Sequence, residues 1–237
     1  MFVANWKMNG SSQKVENWLS SISSSQNLNK CIFCPPNLFL EEAKKIIKKN
    51  NLDISLGAQN VDPDIEISLT GGISPSMLKE IGCNYVIIGH SERREFYKES
   101  PELLFDKAFS CLEKNLKVIF CIGESQEDRD LSKTKEKLSE QLRLLSDLNL
   151  EDFSIAYEPV WAIGSGKIPL LEEIADIGSF LNKELISLGQ KQDEITILYG
   201  GSVNTSNAKE ILQLESISGL LVGGASLDEK QFLEIIG

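Results

Sequence analysis

Eight short apolar runs rich in Val, Ile, Phe and Cys recur at fairly regular intervals along this chain of 237 residues. Longer segments with helical spacing and charged faces lie between them. Nearly unbroken apolar strands that alternate with helices are typical of a parallel sheet covered by helices, and eight repeats favour closure into a (β/α)8 barrel over an open doubly wound sheet. The predicted strands are 2–6, 31–34, 54–58, 85–88, 118–121, 153–157, 195–198 and 217–222. Predicted helices include 40–49, 101–114, 132–148 and 170–188.

The length of the chain favours a single domain. A closed α/β barrel of about 250 residues is a standard single-domain solution, although two small domains would also fit this length. No linker, low-complexity tract or shift in composition marks a boundary. We therefore predict one catalytic barrel over residues 1–237.

The chain is acidic, with 24 Lys and Arg against 35 Asp and Glu and a net charge of −11. This balance disfavours nonspecific binding to nucleic acid or to an anionic membrane, so any anionic ligand must be held by local groups. The first residues lack a basic region and a long apolar run, and no segment reaches the ~20 apolar residues of a membrane helix. We expect a soluble cytoplasmic protein.

Five cysteines lie on apolar stretches, an odd number that fits reduced, buried thiols in a cytosol. Cys31 and Cys34 form a C-x-x-C pair, but positions three apart in a strand face opposite sides of the sheet. No second cysteine pair or histidine cluster completes a zinc site. We interpret the pair as structural. The five are Cys31, Cys34, Cys83, Cys111 and Cys121.

The segment YEPVWAIGSGK, residues 157–167, is the most informative stretch for function. A buried strand ends there in Glu158, and the glycines that follow allow the backbone angles of a moving or anion-binding loop. A loop that excludes water beside a carboxylate raises the pKa of that carboxylate from its reference of roughly 4.3 and strengthens every nearby charge interaction. A solvated Glu in a surface loop is the alternative interpretation, and this segment taken alone does not decide between them.

Polar residues just after the strands of such a barrel meet at one rim, where active sites of barrel enzymes are built. Lys7 follows the first strand and is a candidate fixed positive charge, although most lysines are simply exposed. His90 follows the fourth strand and is the only histidine in the chain. A helix predicted to start near residues 91–92 would favour the neutral imidazole. For Arg93 and Arg94 we favour a salt-bridged helix start.

The last two predicted strands end in Gly-Gly pairs, which offer backbone N–H groups unobstructed by side chains and ahead of predicted helices. These pairs lie in the segments 199–202 and 223–226. A phosphate site after strands seven and eight is frequent in these barrels. We therefore predict a phosphorylated ligand, without a fixed reaction.

With these residues assembled, the chain closely resembles the triosephosphate isomerase family from residue 2 to its last helix. The matching motifs are NWKMNG (5–10), GHSERR (89–94), CIGE (121–124), YEPVWAIGSGK (157–167), YGGSV (199–203) and LVGGAS (221–226). The resemblance implies a TIM barrel that interconverts dihydroxyacetone phosphate and D-glyceraldehyde 3-phosphate, a step of glycolysis and gluconeogenesis.

The resemblance also implies the roles of individual residues, which are carried over from the family. Glu158 is the base that moves a proton between adjacent carbons, neutral His90 polarises the carbonyl oxygens, and Lys7 with Asn5 steadies the developing enediolate charge. The phosphate takes backbone amides, and three further residues support the site. The amides belong to Gly164, Ser202, Gly223 and Gly224, and the supporting residues are Glu92, Cys121 and Tyr199. The resemblance implies a homodimer and implies no metal or organic cofactor.

Two positions and one loop depart from the family pattern. Ser165 stands where the family usually has Thr. Pro169 has no N–H, whereas the family usually offers one there to the hydroxyl of Tyr199 when the lid closes, so we predict that Tyr199 stabilises the closed lid less in this chain. Residues 64–72 also differ in the loop that enters the partner subunit in family dimers.

Two other functions fit parts of the sequence. Lys7 would be the Schiff-base nucleophile of a phosphosugar aldolase, since lysines at barrel strand ends can act in this way. A phosphate-ligand binding barrel without catalysis is the other, but such a protein would be expected to have lost Glu158, His90 or Lys7.

Overall fold

The computed structural model describes residues 1–64, 69–163 and 167–237. Its centre is a closed barrel of eight parallel strands that follow one another in chain order, and β1 pairs with β8 to complete the ring. The (β/α)8 barrel is therefore confirmed and the open sheet is excluded. The strands are β1 Phe2–Asn5, β2 Cys31–Cys34, β3 Ser55–Ala58, β4 Tyr85–Ile88, β5 Lys117–Ile122, β6 Phe153–Tyr157, β7 Ile197–Tyr199 and β8 Gly219–Val222.

The predicted strand bounds are right for β2, β4 and β6 and differ by one or two residues elsewhere. Apolar runs show which residues are buried, whereas pairing with the neighbouring strand decides where a strand ends. Trp6 illustrates the difference. It is fully buried but lies beyond β1, because the chain turns at the next residue, Lys7, which has a left-handed φ of 51°.

Helices cover the outside of the barrel. Several are preceded by an N-cap serine whose side chain accepts a hydrogen bond from an amide of the first turn, and α3 and α5 also have proline at their first position. The α-helices of the described residues are α1 Ser12–Ile22, α2 Leu40–Lys49, α3 Pro75–Ile81, α4 Ser91–Phe96, α5 Pro101–Glu113, α6 Gln126–Asp130, α7 Thr134–Arg143, α8 Leu171–Ser187, α9 Ala208–Ile211 and α10 Glu229–Ile236.

The predicted helix 132–148 is too long at both ends. Ser132 has a left-handed φ of 57°, so α7 begins only at Thr134. After Arg143 the amides of Leu145 and Ser146 bond to carbonyls three residues back, in a tighter turn than an α-helix.

Alternation along the strands divides the core in two. Nine residues that face the barrel axis form one cluster, and a much larger cluster lies between the outer face of the strands and the helices. Cys31 belongs to the outer cluster and Cys34 to the inner one, which confirms that the pair faces opposite sides. All five cysteines are buried and free of disulfide bonds.

In the described ranges, no helix is both long and apolar enough to cross a membrane. Because all eight strands are parallel, their carboxyl ends meet at one rim, and the polar residues that follow β1, β4, β6, β7 and β8 come together there.

Candidate active site

A cleft of about 500 Å³ opens at the carboxyl rim of the barrel. Such a volume suits a small ligand. Most of the predicted site residues line it, together with apolar residues from the segments after β6 and β7. The lining includes Asn5, Lys7, His90, Ser91, Glu92, Glu158, Val160, Ile163, Gly200, Gly201, Ser202, Gly223 and Gly224. Cys121 and Tyr199 lie buried behind the cleft, and Gly164 and Ser165 lie outside the described residues.

Glu158 follows the last residue of β6 and is 1% exposed. Its Oε2 accepts a hydrogen bond of 2.9 Å from the amide of Ser91, and its Oε1 lies 3.0 Å from Nε2 of His90. No described residue gives Oε1 a well-aligned hydrogen bond. One oxygen of the carboxylate is therefore anchored by a backbone amide, and the other lies beside the imidazole.

The pKa of Glu158 is lowered, contrary to the expectation from desolvation. Burial does act to raise it, but the His90 imidazole, the Ser91 amide and the charge of Lys7 together outweigh burial. The exclusion of water therefore does raise the pKa of Glu158, as expected, but by less than these three neighbouring groups lower it. Glu158 is thus held in its ionised form, which is the form that a base needs.

His90 is the N-cap residue of α4, so the helix begins at Ser91 as the sequence predicts. Its Nδ1 accepts a hydrogen bond of 3.3 Å from the amide of Glu92, which requires that Nδ1 carry no proton. A neutral ring then has its proton on Nε2, facing Glu158. Burial lowers the pKa of His90, but the carboxylate of Glu158 more than reverses this, so the net pKa is raised. The hydrogen bond to Nδ1 favours the neutral imidazole, whereas the carboxylate of Glu158 favours the protonated imidazole.

Lys7 has a left-handed backbone, which in a residue other than glycine carries strain of about 1–3 kcal/mol and is typical of functional sites. Its amide donates to Oδ1 of Asn5 over 3.1 Å, and its carbonyl accepts from Gln59 over 2.9 Å. The ammonium lies 2.7 Å from Oε1 of Glu92. The structure thus orients a positive charge into the cleft, as the sequence predicts.

The two arginines after Glu92 differ from each other. Arg93 forms an ion pair of 2.6 Å with Glu99, as expected for a salt-bridged helix start. Arg94 does not: it donates to the carbonyls of Gly89 and Cys121, each over 2.7 Å. That interpretation of Arg94 was wrong, because the fold brings two backbone carbonyls within hydrogen-bond distance of its guanidinium, one directly after β4 and one in β5.

The glycine-rich ends of β7 and β8 face the cleft. No described residue accepts a hydrogen bond from the amides of Ser202, Gly223 or Gly224, whereas the amide of Gly200 already donates to Tyr157 over 2.8 Å. The helix predicted after β7 is present as α9, but it begins only at Ala208, beyond the turn that contains Gly200 and Gly201. After β8 a 3₁₀ turn follows at once, over Gly224–Leu227. Backbone amides in a turn, more than a helix N-terminus, form this candidate anion site.

Two supporting residues are packed beneath the cleft. Cys121 is fully buried and faces the barrel axis. Tyr199 is also fully buried, and its hydroxyl has no hydrogen-bond partner among the described residues. In the part of the chain that the structure describes, the hydroxyl of Tyr199 has no donor opposite it, as expected because Pro169 carries no N–H. That Tyr199 contributes less to the closed state stays a prediction.

Three residues that hold the site together have no role predicted from the sequence. Ser91 anchors Glu158, and its position at the start of a helix was the available signal. Gln59 bonds the carbonyls of Lys7 and Cys34, and no sequence pattern points to it. Gly123 packs against Glu158 so closely that an added Cβ would lie 1.8 Å from the Glu158 carbonyl oxygen.

The parts of the chain that the structure describes hold no group of three or more His, Cys, Asp or Glu side chains arranged to bind a metal ion. The closed parallel barrel carries an ionised carboxylate, an imidazole and a lysine at its carboxyl rim, opposite unpaired amides. This combination defines the class of (β/α)8-barrel enzymes that transfer protons on an anionic substrate.

Comparison with known proteins narrows this class. The triosephosphate isomerase family model matches residues 1–237. The triosephosphate isomerase of Thermodesulfovibrio yellowstonii is 41% identical, over 99% of this chain and 97% of the relative. The triosephosphate isomerase of Fusobacterium nucleatum is 42% identical, over 100% of this chain and 97% of the relative. The triosephosphate isomerase of Aquifex aeolicus is 39% identical, over 100% of this chain and 98% of the relative. The chain belongs to the triosephosphate isomerase family.

Proposed function

We propose that this chain interconverts dihydroxyacetone phosphate and D-glyceraldehyde 3-phosphate by proton transfer through an enediolate, with Glu158, His90 and Lys7 as the catalytic residues. The observation that carries the proposal is the contact of 3.0 Å between Oε1 of Glu158 and Nε2 of His90, inside a cleft that also presents unpaired amides. Family membership agrees with an isomerase, and nothing favours the aldolase or the non-catalytic barrel.

Each residue has a distinct part in the proposed reaction. Glu158, anchored through Oε2, removes the proton from one carbon with Oε1 and returns it to the next. Nε2–H of His90 donates to the substrate oxygens, and the ammonium of Lys7 with the amide of Asn5 stabilises the negative charge that develops on them. The substrate phosphate accepts hydrogen bonds from Ser202, Gly223 and Gly224. Gly164 stays a predicted fourth donor.

The ion pair of Lys7 with Glu92 argues against the aldolase. A Schiff-base lysine must bring its nitrogen to the substrate carbonyl, whereas Nζ of Lys7 is already paired with Oε1 of Glu92 at 2.7 Å. Borohydride trapping with dihydroxyacetone phosphate is expected to leave Lys7 unmodified.

The test is turnover of glyceraldehyde 3-phosphate by wild-type protein and by Glu158→Gln, with chelator present. Removal of a general base is expected to lower kcat by about 10²- to 10⁴-fold. Glu113→Gln, an exposed acid at the end of α5, is the matched control with unchanged kcat. An inactive wild type, or full activity in Glu158→Gln, would overturn the proposal.

We also propose a homodimer that joins subunits beside the active site. Met8, Phe96 and Tyr97 are 96%, 71% and 69% exposed, and they line a second cleft of about 700 Å³ that shares Lys7 and His90 with the first. Exposed apolar side chains clustered in this way are typical of subunit interfaces. Of the loop 64–72, residues 65–68 lie outside the described residues.

Sedimentation velocity tests the dimer. Met8→Asp is expected to shift the protein toward monomer at micromolar concentration, whereas Ile186→Asp on α8 is not. A monomeric wild type, or equal behaviour of the two variants, would contradict this interface.

We further propose that residues 1–237 act as one catalytic domain in the cytoplasm. One barrel closed by pairing of β1 with β8 supports the first point, and five free, buried cysteines support the second. Limited proteolysis that yielded two stable halves would contradict the single domain.

A further inference from the structure

Arg129, on α6, contacts the chain on both sides of the loop that follows Glu158. We call residues 160–163 the leading flank and residues 170–173 the trailing flank. The guanidinium carbon of Arg129 lies 4.1 Å from the ring centroid of Trp161 in the leading flank. Nη2 of the same guanidinium forms an ion pair with Oε1 of Glu173 in the trailing flank.

The leading flank forms part of the wall of the active site. Val160 and Ile163 line the cleft beside Glu158. Trp161 is held from two sides, because its Nε1 donates to Oε1 of Glu124 over 2.8 Å while Arg129 covers its ring. The position of Trp161 therefore sets where the wall stands relative to Glu158.

The trailing flank is held by the same carboxylate that Arg129 binds. Oε2 of Glu173 accepts a hydrogen bond of 2.9 Å from the amide of Leu170 and so caps the start of α8. Its Oε1 binds Arg129. One carboxylate thus fixes both the end of the loop and its link to α6.

Arginine suits this double contact better than lysine. A planar guanidinium stacks on an aromatic ring with its face and donates hydrogen bonds from its edge at the same time, whereas an ammonium presents a single point charge. The side chain is also well supported, since α6 begins with a reciprocal cap between Ser125 and Asp128, directly before Arg129.

We propose that Arg129 is a positioning residue that ties the two flanks together and so holds the wall formed by Val160 and Ile163 against the base. It touches neither substrate nor Glu158 and acts through Trp161 and Glu173. The inference rests on the proposed isomerase activity, because its effect is measured as turnover.

The experiment compares wild type with Arg129→Met, Arg129→Lys, Glu173→Gln and the double variant Arg129→Met/Glu173→Gln. We expect Arg129→Met to lower kcat/KM for glyceraldehyde 3-phosphate about tenfold, with a raised KM, and Arg129→Lys to lose about threefold because it keeps only the ion pair. The double variant is expected to match Arg129→Met, since both changes break one link. Arg143→Met, an exposed arginine of α7, is the control with wild-type values.

A second measurement separates positioning from simple stability. Trp6 and Trp18 are at most 1% exposed, so acrylamide quenching of fluorescence reports mainly on Trp161. Quenching is expected to increase in Arg129→Met and to stay unchanged in Arg143→Met, at a temperature where both are fully folded.

The outcomes are distinct. If Arg129→Met is folded and has the kcat, KM and quenching of the wild type, the inference is overturned, and the isomerase proposal stands as long as the wild-type protein is active. An inactive wild-type protein would overturn the isomerase proposal itself. If Arg129→Met fails to fold, Arg129→Lys and Glu173→Gln decide, and wild-type kinetics in both overturn the inference.

Discussion

Two buried side chains, His90 and Glu158, control each other's protonation. The carboxylate raises the pKa of the imidazole, and the imidazole helps to lower the pKa of the carboxylate. A raised histidine pKa stabilises the fold fully below the unfolded value of about 6.5, and this stabilisation is lost as pH rises through the folded pKa. Lys7 opposes the rise and Glu92 adds to it.

This coupling is measurable, because His90 is the only histidine in the chain and needs no assignment. In ¹⁵N NMR the wild-type ring is expected to titrate above the ordinary value of about 6.5 and to carry its proton on Nε2 at alkaline pH. In Glu158→Gln, burial and Lys7 are left with less opposition, so the pKa is expected to fall. An Nδ1–H tautomer, or an equal pKa in both proteins, would refute this account.

Tyr199 is expected to tolerate loss of its hydroxyl. The group is buried without a described partner, and an unsatisfied buried hydroxyl gives no stabilisation. Tyr199→Phe is predicted to keep turnover within about threefold and to leave the free energy of unfolding equal or up to about 1 kcal/mol higher. Tyr157→Phe is the matched control, expected to lose about 1 kcal/mol, because its hydroxyl donates to Glu124 over 3.2 Å. Severe loss of turnover in Tyr199→Phe would count against the prediction.

Among the helices, α4 matters most for the site, since it carries His90 as its cap and Ser91 at its first position. It is tied to α5 by a buried cluster. Lys107 of α5 is 1% exposed and lies 2.5 Å from Glu99, which also binds Arg93 of α4. A second bond of 2.8 Å joins Lys107 to Asn60 after β3.

Breaking this cluster is expected to be costly. Lys107→Met leaves a buried carboxylate short of its partner and should lower the free energy of unfolding in urea by about 3–5 kcal/mol. Lys114→Met is the comparison: its pair with Asp64 is exposed and spans 3.5 Å, so a loss below about 1 kcal/mol is expected. Adding Glu99→Gln to Lys107→Met should restore part of the stability. Equal losses at Lys107 and Lys114 would disprove this role.

Closure of the barrel brings the first residue of the chain against the start of β8. The α-amino group of Met1 donates to the carbonyl of Ser218 over 3.0 Å, and the carbonyl of Met1 accepts from Leu220 over 3.0 Å. Gly219 lies between them, where an added Cβ would be 1.9 Å from the Met1 carbonyl oxygen.

Gly219→Ala is therefore predicted to force the seam between β1 and β8 apart and to lower the free energy of unfolding by about 3 kcal/mol or more. Gly189→Ala is the control. It meets no atom within 4 Å but has a left-handed φ of 92°, so only about 1 kcal/mol of backbone strain is expected. A Gly219→Ala protein as stable as Gly189→Ala would show that the seam is not tightly packed.

The sequence by itself determined the architecture and the main residues of the candidate site. Apolar periodicity is local, and eight strand-helix repeats leave little choice but a parallel barrel, which brings Lys7, His90 and Glu158 to one rim.

Only the tertiary structure decided what each side chain touches. Four features depend on residues that are far apart in the chain: the lowered pKa of Glu158, the carbonyl partners of Arg94, the role of Gln59 and the double contact of Arg129. The physical reason is that hydrogen bonds and charge interactions act over a few ångströms in space, and sequence periodicity records burial without recording which neighbour provides it.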